Sequence, residues 1–275
     1  MITVLRAGLP LLQFPLLNVF PEIVHGVTTR HGGVSTGRWA SLNLGWSVGD
    51  APEAVAENRR RVYASLGLDP GRGAAGRQVH GTRVAVVGPD GPAGVSAPGT
   101  ALPDTDALLT AVPGVGLLVI AGDCVPVLLW DPAQRVVGTV HAGWRGTVAG
   151  AVGQAVAAMA AHFGSRPGDV RAGIGPAIGP CCYEVDGPVL APLRAAFPDD
   201  WAGLVQPREG DRALLDLWEA NRRALLAAGL APEHIDVAGL CTRCHRDQVY
   251  SERAEGRPAG RFGAVIALRE GTGAA

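Results

Sequence analysis

Apolar positions along the chain follow two periods. Where they return every three or four residues they predict helices. The first helix lies in "GDAPEAVAENRRRVYASLGL", residues 49–68, with Asp50 and Glu53 at capping-box spacing, Pro52 in the first turn and Gly67 to close the end. The second runs from Thr147 to Phe163, because Val148, Val152, Val156, Met159 and Phe163 share a face and Gly164 follows. The third covers Leu215 to Ala228, ahead of Gly229. Short β-branched or apolar runs predict strands: "TRVAVV", "VGLLVI", "VPVLLW", "RVVGTV", "VRAGI", "HIDVAGL", "DQVYS" and "AVIAL". Helices and strands mix without a strict βαβ rhythm. The expected fold is therefore α+β (mixed α/β), one domain over residues 1–275 with largely mixed sheets, in preference to a doubly wound fold. A Gly/Pro-rich loop, expected to be mobile, spans Gly88 to Asp104, and no internal repeat is seen.

Composition narrows the function. With 275 residues, 47 % of them hydrophobic, the chain can bury a full core. A formal charge of -1 gives no global basic field for nucleic acid or an anionic membrane. All 24 basic residues are arginine. Schiff-base catalysis, pyridoxal phosphate anchoring, Ser-Lys dyads and the P-loop lysine are thereby excluded. The apolar N-terminus is interrupted by Pro10, Gln13 and Pro15 and shows no signal-peptide cleavage pattern, and "AVPGVGLLVIAG" is too short to span a bilayer. Five cysteines, an odd number, fit reduced thiols and a cytoplasmic location. Nothing points to an obligate protein partner.

Three stretches place a metal-ligating side chain at the edge of an apolar strand: "QVHG" with His80, "AGDCVPVLLW" with Cys124 and "VHAGWRGT" with His141. One cysteine and two histidines are a zinc combination that leaves a fourth position for water or substrate. The competing explanation is hydrogen-bonded buried histidines and an inert core cysteine. "CTRCH" at 241–245 spells a haem-attachment pattern, but haem attachment needs export and a distal ligand, and neither is apparent. Cys181 and Cys182 could join Cys241 and Cys244 as a four-cysteine zinc site. Adjacent cysteines chelate one ion awkwardly, so ordinary buried thiols are the expectation there. "GIGPAIGPCCYEV" is either an anion-binding loop or a tight surface loop. Arg145, at the N-terminal turn of the helix expected from Thr147, either meets a phosphate or pairs with a carboxylate.

Taken in order, "TTRHGGVSTGRWASLNLGWSVGD", "QVHG", "GDCVPVLL", "VHAGWRGT", "GIGPAIGPCCYEV" and "CT" at 241 resemble the blocks of the YfiH/laccase-domain family, once called multicopper polyphenol oxidases. The resemblance covers residue 25 to the C-terminus. It implies one metal ion on His80, Cys124 and His141, an α/β/β/α layered fold, and a cytoplasmic zinc enzyme acting on purine nucleosides. The implied reactions are phosphorolysis of adenosine, inosine and S-methyl-5'-thioadenosine, and deamination of adenosine. Two blocks depart from the family pattern: "AGDC" stands for "TADC", and "VYSERAE" from Val249 stands for "FFSYRRD". The departures remove a threonine hydroxyl, an aromatic and an arginine, while Ser251 and Arg253 remain to retain part of the role.

On this reading Arg145 and Arg30 contact an anion, Asn43 and Gln78 line the site, and Asp123 is an acid, a base or an orienting group for Cys124. No His-x-Glu occurs, so the acid/base glutamate of ordinary zinc deaminases has no counterpart. Copper could occupy the same ligands and oxidise phenols, but type-1 and trinuclear centres together demand more imidazoles than the seven histidines can supply. A hydrolase with Cys124 as nucleophile and His141 as base would compete with the metal for the same sulfur.

Overall fold

The computed structural model describes residues 1–89, 95 and 97–270; the Gly88–Asp104 loop lies partly outside the described residues. The chain begins with strands β1 (Ile2–Arg6) and β2 (Leu9–Gln13), helix α1 (Pro15–Asn18), strand β3 (Ile23–Thr28) and helix α2 (Pro52–Ser65). Strands β4 (Gly73–Ala75), β5 (Val84–Val86), β6 (Ala107–Thr110), β7 (Gly116–Ala121), β8 (Val125–Asp131) and β9 (Val136–Ala142) follow. Helices α3 (Trp144–Val148) and α4 (Ala151–Phe163) precede β10 (Arg171–Ile174), β11 (Glu184–Val185), helix α5 (Gly187–Ala196), β12 (Val205–Pro207) and β13 (Ala213–Leu215). Helix α6 (Leu217–Ala227), β14 (Ile235–Val237), helix α7 (Glu252–Glu255) and β15 (Phe262–Leu268) complete it.

Two six-stranded mixed sheets result, ordered β1-β2-β3-β15-β7-β4 and β14-β10-β8-β9-β6-β5, with a small third sheet β11-β13-β12. The two large sheets pack face to face, α2 covers the outside of the first, and α4 and α6 cover the second. The expected mixed α/β class and α/β/β/α layering are what the chain adopts. Alternation in the central strands explains the layers. In β8, Leu128 and Trp130 enter the core between the sheets, while Val125, Val127 and Leu129 face α4 and α6. In β15, Phe262, Ala264 and Ile266 enter the middle core and Val265 and Ala267 face α2. A strand buried on both faces reads as a continuous apolar run, which is why these strands were legible.

Several expectations are corrected. The helix expected from Thr147 begins at Trp144 and breaks at Gly150, whose φ of +83° is left-handed, so α3 and α4 are separate. Ala51, not Asp50, precedes the first turn of α2; the Asp50 carboxylate instead accepts from Ser35 and Asn43. "DQVYS" is not a strand. The interrupted N-terminal apolar segment is a hairpin, turned by Ala7 and Gly8 at φ +46° and +81° and paired Arg6 to Leu9. Asp216 caps α6 by accepting from the Glu219 N–H at 2.9 Å, an interaction worth about 1 kcal/mol.

His25 on β3 lies in the middle of this structure, 2 % exposed, with Nε2 accepting the Phe14 N–H at 3.0 Å. Burial, helped by the Arg6 charge, pushes it down from 6.5 to about 4. A histidine whose folded value lies below its unfolded one stabilises fully above the unfolded value and loses that contribution as pH falls toward the folded one. Between pH 7 and pH 4 the unfolding free energy of the wild type should therefore fall by about 3 kcal/mol more than that of His25→Gln, as read from urea denaturation at each pH. Parallel pH profiles for the two proteins would contradict it.

Candidate active site

The three ligand-type residues converge because of where the chain changes sheets. Strands β4 and β7 are parallel neighbours in the first sheet, and from their shared end the chain crosses to the second sheet. His80 lies on the crossing from β4 to β5, and Cys124 at the one-step crossing from β7 to β8. Strand β9 runs antiparallel to β8 with Pro126 opposite His141, which brings His141 back to the same corner. Both crossings are tight: Asp123 has φ +96° and His80 φ +63°, conformations that side chains adopt only where the surroundings enforce them.

One atom each of His80, Cys124 and His141 lies within 4.8 Å of the others. His80 Nε2 stands 3.7 Å from Cys124 Sγ, and the two imidazoles meet edge to face at 4.9 Å. A tetrahedral zinc with ordinary bond lengths would set its sulfur and nitrogen ligands about 3.6 Å apart. A Cβ on Gly143 would stand 2.7 Å from His80 Cδ2 and 2.9 Å from Cys124 Sγ, so only glycine lets the backbone pass the cluster. The donor set, spacing and open side fit one soft or borderline divalent ion.

Asp106, which the sequence analysis did not single out, holds the corner together. Its Oδ1 accepts from His80 N at 3.0 Å and His141 Nδ1 at 2.9 Å; its Oδ2 accepts from Gly81 N at 2.8 Å and Val79 N at 3.1 Å. With Nδ1–H committed to Asp106, His141 turns Nε2 toward the cluster, where it hydrogen-bonds the Cys124 sulfur and would offer a lone pair once a metal displaced its proton. Burial would raise the Asp106 carboxyl, but the bonds from His141, Gly81 and Val79 hold it below the ordinary range. Burial would also raise Cys124, yet His141 and His80 bring it down to about 6. Burial pulls His141 down, and the Cys124 sulfur with Asp106 outweighs that, lifting it to about 9. A thiolate is thus available as a ligand at neutral pH.

The cluster borders a cavity of about 1330 Å³. Gln78, Asp123 and Arg145 line it with the three ligand-type residues. Gln78 spends its amide on the edge of β7, donating to Ile120 O and accepting from Ile120 N. Asp123 Oδ1 accepts from Thr242 Oγ1 at 2.5 Å and Ser251 Oγ at 2.7 Å, and Oδ2 from Arg253 N at 2.6 Å. Arg145 is exposed, stacks on Trp144 at 4.3 Å and, among the described residues, forms no ion pair. Its helix α3 has only five residues, so the helix-dipole reason for an anion falls away and the guanidinium itself remains.

Two sequence-derived candidates lie elsewhere. Arg30 pairs with Glu255 at 2.9 Å, donates to Arg246 O and stacks on Tyr250, in a separate surface depression. Asn43 is fully buried and outside the cavity lining, donating to Asp50 and accepting from Gly45 N and Arg261 N. Both sit in a block rich in polar residues, Arg30 just after β3 and Asn43 in irregular chain, and that local signal does not distinguish scaffold from site. Cavity residues the sequence did not single out include Arg77, Tyr183, Arg257 and Arg261. Glu252 pairs with both Arg257 and Arg261. Gly122, where the resemblance implied a missing side chain, makes room for Arg261, whose Nη1 would stand 3.0 Å from an added Cβ.

Removing Asp106 would strand three backbone N–H groups and one imidazole N–H. Asp106→Ala is expected to cost about 3–5 kcal/mol in chemical denaturation and to weaken zinc binding about 10- to 100-fold in a competing-chelator titration. Unchanged affinity in a folded variant would show that the carboxylate does not set the ligand geometry.

Residues 24–269 match the family described as "Multi-copper polyphenol oxidoreductase laccase". A Deinococcus radiodurans protein named "Purine nucleoside phosphorylase" is 43 % identical over 266 residues, covering 96 % of each chain. "Purine nucleoside phosphorylase YlmD" of Geobacillus stearothermophilus is 40 % identical, covering 91 % of this chain and 92 % of its own. The crystal structure of YlmD from Geobacillus stearothermophilus superposes with a TM-score of 0.86 at 39 % identity, covering 96 % of both chains. That of the Bacillus licheniformis hypothetical protein YfiH gives 0.87 at 36 %, covering 90 % of this chain and 93 % of the other. The ordered blocks, the layered fold and these likenesses agree: the chain belongs to the YfiH-like family of multi-copper polyphenol oxidoreductase laccases, among whose members are enzymes named purine nucleoside phosphorylases.

Proposed function

We propose that this chain is a zinc-dependent purine nucleoside phosphorylase, splitting adenosine, inosine and S-methyl-5'-thioadenosine with phosphate, and that it also deaminates adenosine. The observation that carries the reading is one Cys/His/His set with an open side, bordering a cavity that holds Arg145, which has no ion pair among the described residues. The names of the relatives support the substrate class.

Zinc on His80, Cys124 and His141 would supply a Lewis-acidic open position next to the substrate. The protein's own groups divide the remaining work. Arg145, over the Trp144 ring at 4.3 Å, offers two parallel N–H donors to phosphate. Asp123, fixed by three donors, faces the cavity as an acceptor and opposes the positive charge that develops at the ribose C1′ as the bond to the base breaks. Ile120, Ile178 and Leu217 give the purine an apolar wall, and Tyr183 adds an aromatic face. A phosphate oxygen bonds to C1′ as the C1′–N9 bond breaks, and the base leaves with the electron pair and takes up the proton that the hydrogen phosphate gives up.

Copper-dependent oxidation of phenols is the second reading, favoured by the family's description and by a thiolate with two imidazoles, a donor set that also suits copper. The other histidines join no further ligand cluster among the described residues, so oxidation would rest on one copper ion.

Purified protein loaded with zinc should release hypoxanthine and ribose 1-phosphate from inosine only when phosphate is present. His80→Ala and Cys124→Ser should each lower kcat/KM about 100-fold or more. Full phosphorolysis in both variants would remove the metal from the reaction; phenol oxidation by the copper-loaded protein with no phosphorolysis under any metal would favour the second reading. Arg145→Gln should raise the KM for phosphate about 10- to 100-fold with little change in nucleoside KM. An unaltered phosphate KM would place the anion elsewhere.

A further inference from the structure

Four of the five cysteines take no part in the site above, and the fold gathers all four. Cys241 and Cys244 stand at C-x-x-C spacing in a turn where His245 N donates to Cys241 O at 3.0 Å. Cys181 and Cys182 occupy a second tight turn, in which Cys182 N and Tyr183 N both donate to Gly179 O at 2.9 Å. That turn lets neighbouring cysteines present their sulfurs to the same side. The two turns are docked by the bridge between Ala177 and Cys241, by Thr242 N donating to Ala177 O at 3.0 Å, and by Gly179 N donating to Cys241 Sγ at 3.3 Å. A Cβ at Gly179 would stand 3.1 Å from Cys241 Cβ and 2.8 Å from the Trp218 ring, so the approach depends on glycine.

Cys244 Sγ lies 3.6 Å from Cys181 Sγ and 3.5 Å from Cys182 Sγ, and all four sulfurs lie within 4.8 Å of one another. A tetrahedral zinc with four thiolates has sulfur–sulfur edges of about 3.8 Å. The expectation of ordinary buried thiols is corrected, since only Cys241 is buried while Cys181 and Cys244 are exposed. Exposed free thiols in contact invite oxidation unless something holds them.

We propose that Cys181, Cys182, Cys241 and Cys244 form a second, structural site for a soft divalent ion, zinc in the first instance. Four protein ligands close the coordination shell, so the ion binds no substrate. The Gly179 N–H bonded to the Cys241 sulfur is the kind of contact that steadies a metal-bound thiolate. The ion clips two segments that both bond Asp123, a residue of the cavity lining. One carries Ile178, whose N–H bonds Asp123 O at 2.9 Å, and Tyr183; the other carries Thr242, whose hydroxyl bonds the Asp123 carboxylate. This site stands independently of the proposed reaction.

Metal content measured after zinc loading and gel filtration tests it. The wild type should hold two equivalents per chain, His80→Ala/Cys124→Ser one, and Cys181→Ser/Cys244→Ser one. Cobalt-loaded His80→Ala/Cys124→Ser should show the visible bands of a tetrahedral ion with a strong thiolate-to-cobalt charge-transfer band. A single equivalent in the wild type, with the four thiols alkylated by iodoacetamide as fast with zinc as without it, overturns the proposal. So does a Cys244 disulfide to Cys181 or Cys182 in the protein as isolated. Wild-type stoichiometry and alkylation decide the matter even if the cysteine variants fail to fold, and a lack of phosphorolysis would leave the metal count unaffected.

Discussion

The corner where the two large sheets exchange strands depends on one buried carboxylate. Asp106 accepts three successive backbone N–H groups from residues 79–81 and the His141 imidazole, so its charge is compensated on four sides. A buried carboxylate without such partners would be costly enough to take up a proton instead. With them, the negative charge becomes an organising centre: it fixes the left-handed turn at His80, sets the His141 tautomer, and joins the crossing loop to β6 and β9. Cys124 then needs no dedicated support, because the β8–β9 register delivers it opposite Gly143.

The absence of lysine gives the cavity its character. Its cationic walls are guanidinium groups, several already spoken for: Arg59 donates to Leu44 O and Val95 O, Arg77 pairs with Asp104, and Arg257 and Arg261 share Glu252. Arg145 and Arg253 are exposed and stacked with no carboxylate partner among the described residues, and Arg253 differs in donating its guanidinium to Glu184 O at 3.1 Å. An anion entering this cavity finds at Arg145 a planar donor free of a carboxylate among the described residues, whereas at the paired arginines it would have to displace a carboxylate. Asn43 reaches the site only indirectly, through the Arg261 N–H that its side chain accepts.

The central strands and the convergence of three ligand-type residues were legible because each depends on a local signal. Doubly buried strands are long apolar runs; Cys124 and His141 flank or end one each, and His80 precedes the shorter β-branched run that contains β5. Strands β5, β10 and β14 also fall within runs read as strands, whereas β1 to β4, β6 and β11 to β13 do not. Strands β4, β11, β12 and β13 have three residues or fewer and lack the longer β-branched runs that surround β5 and β14. Strands β2 and β3 were masked by proline and by a buried histidine. Asp106 was invisible for a different reason: an aspartate between a loop and a strand looks like any turn residue, and its value comes from partners 25 to 35 positions away. Arg30 shows the opposite limit: membership of a recognisable block says nothing about which way a long side chain turns, and this one turns to Glu255 and Tyr250.

The two sulfur clusters meet at Asp123. One side of that residue is covalently next to Cys124; the other is bound by the hydroxyl of Thr242, which sits inside the Cys241–Cys244 turn, and by Ser251. A carboxylate whose backbone has φ +96° cannot rely on its own conformational preference to hold its direction. It borrows rigidity from the segments that donate to it, and apart from Arg253 in the four-residue helix α7 these are loops, with no sheet ladder of their own around residues 242–251. Closing those loops with bonds stronger than hydrogen bonds is one way to make an irregular wall as stiff as the strands beneath it. The cysteines stand where such a closure would act on Asp123 without entering the cavity.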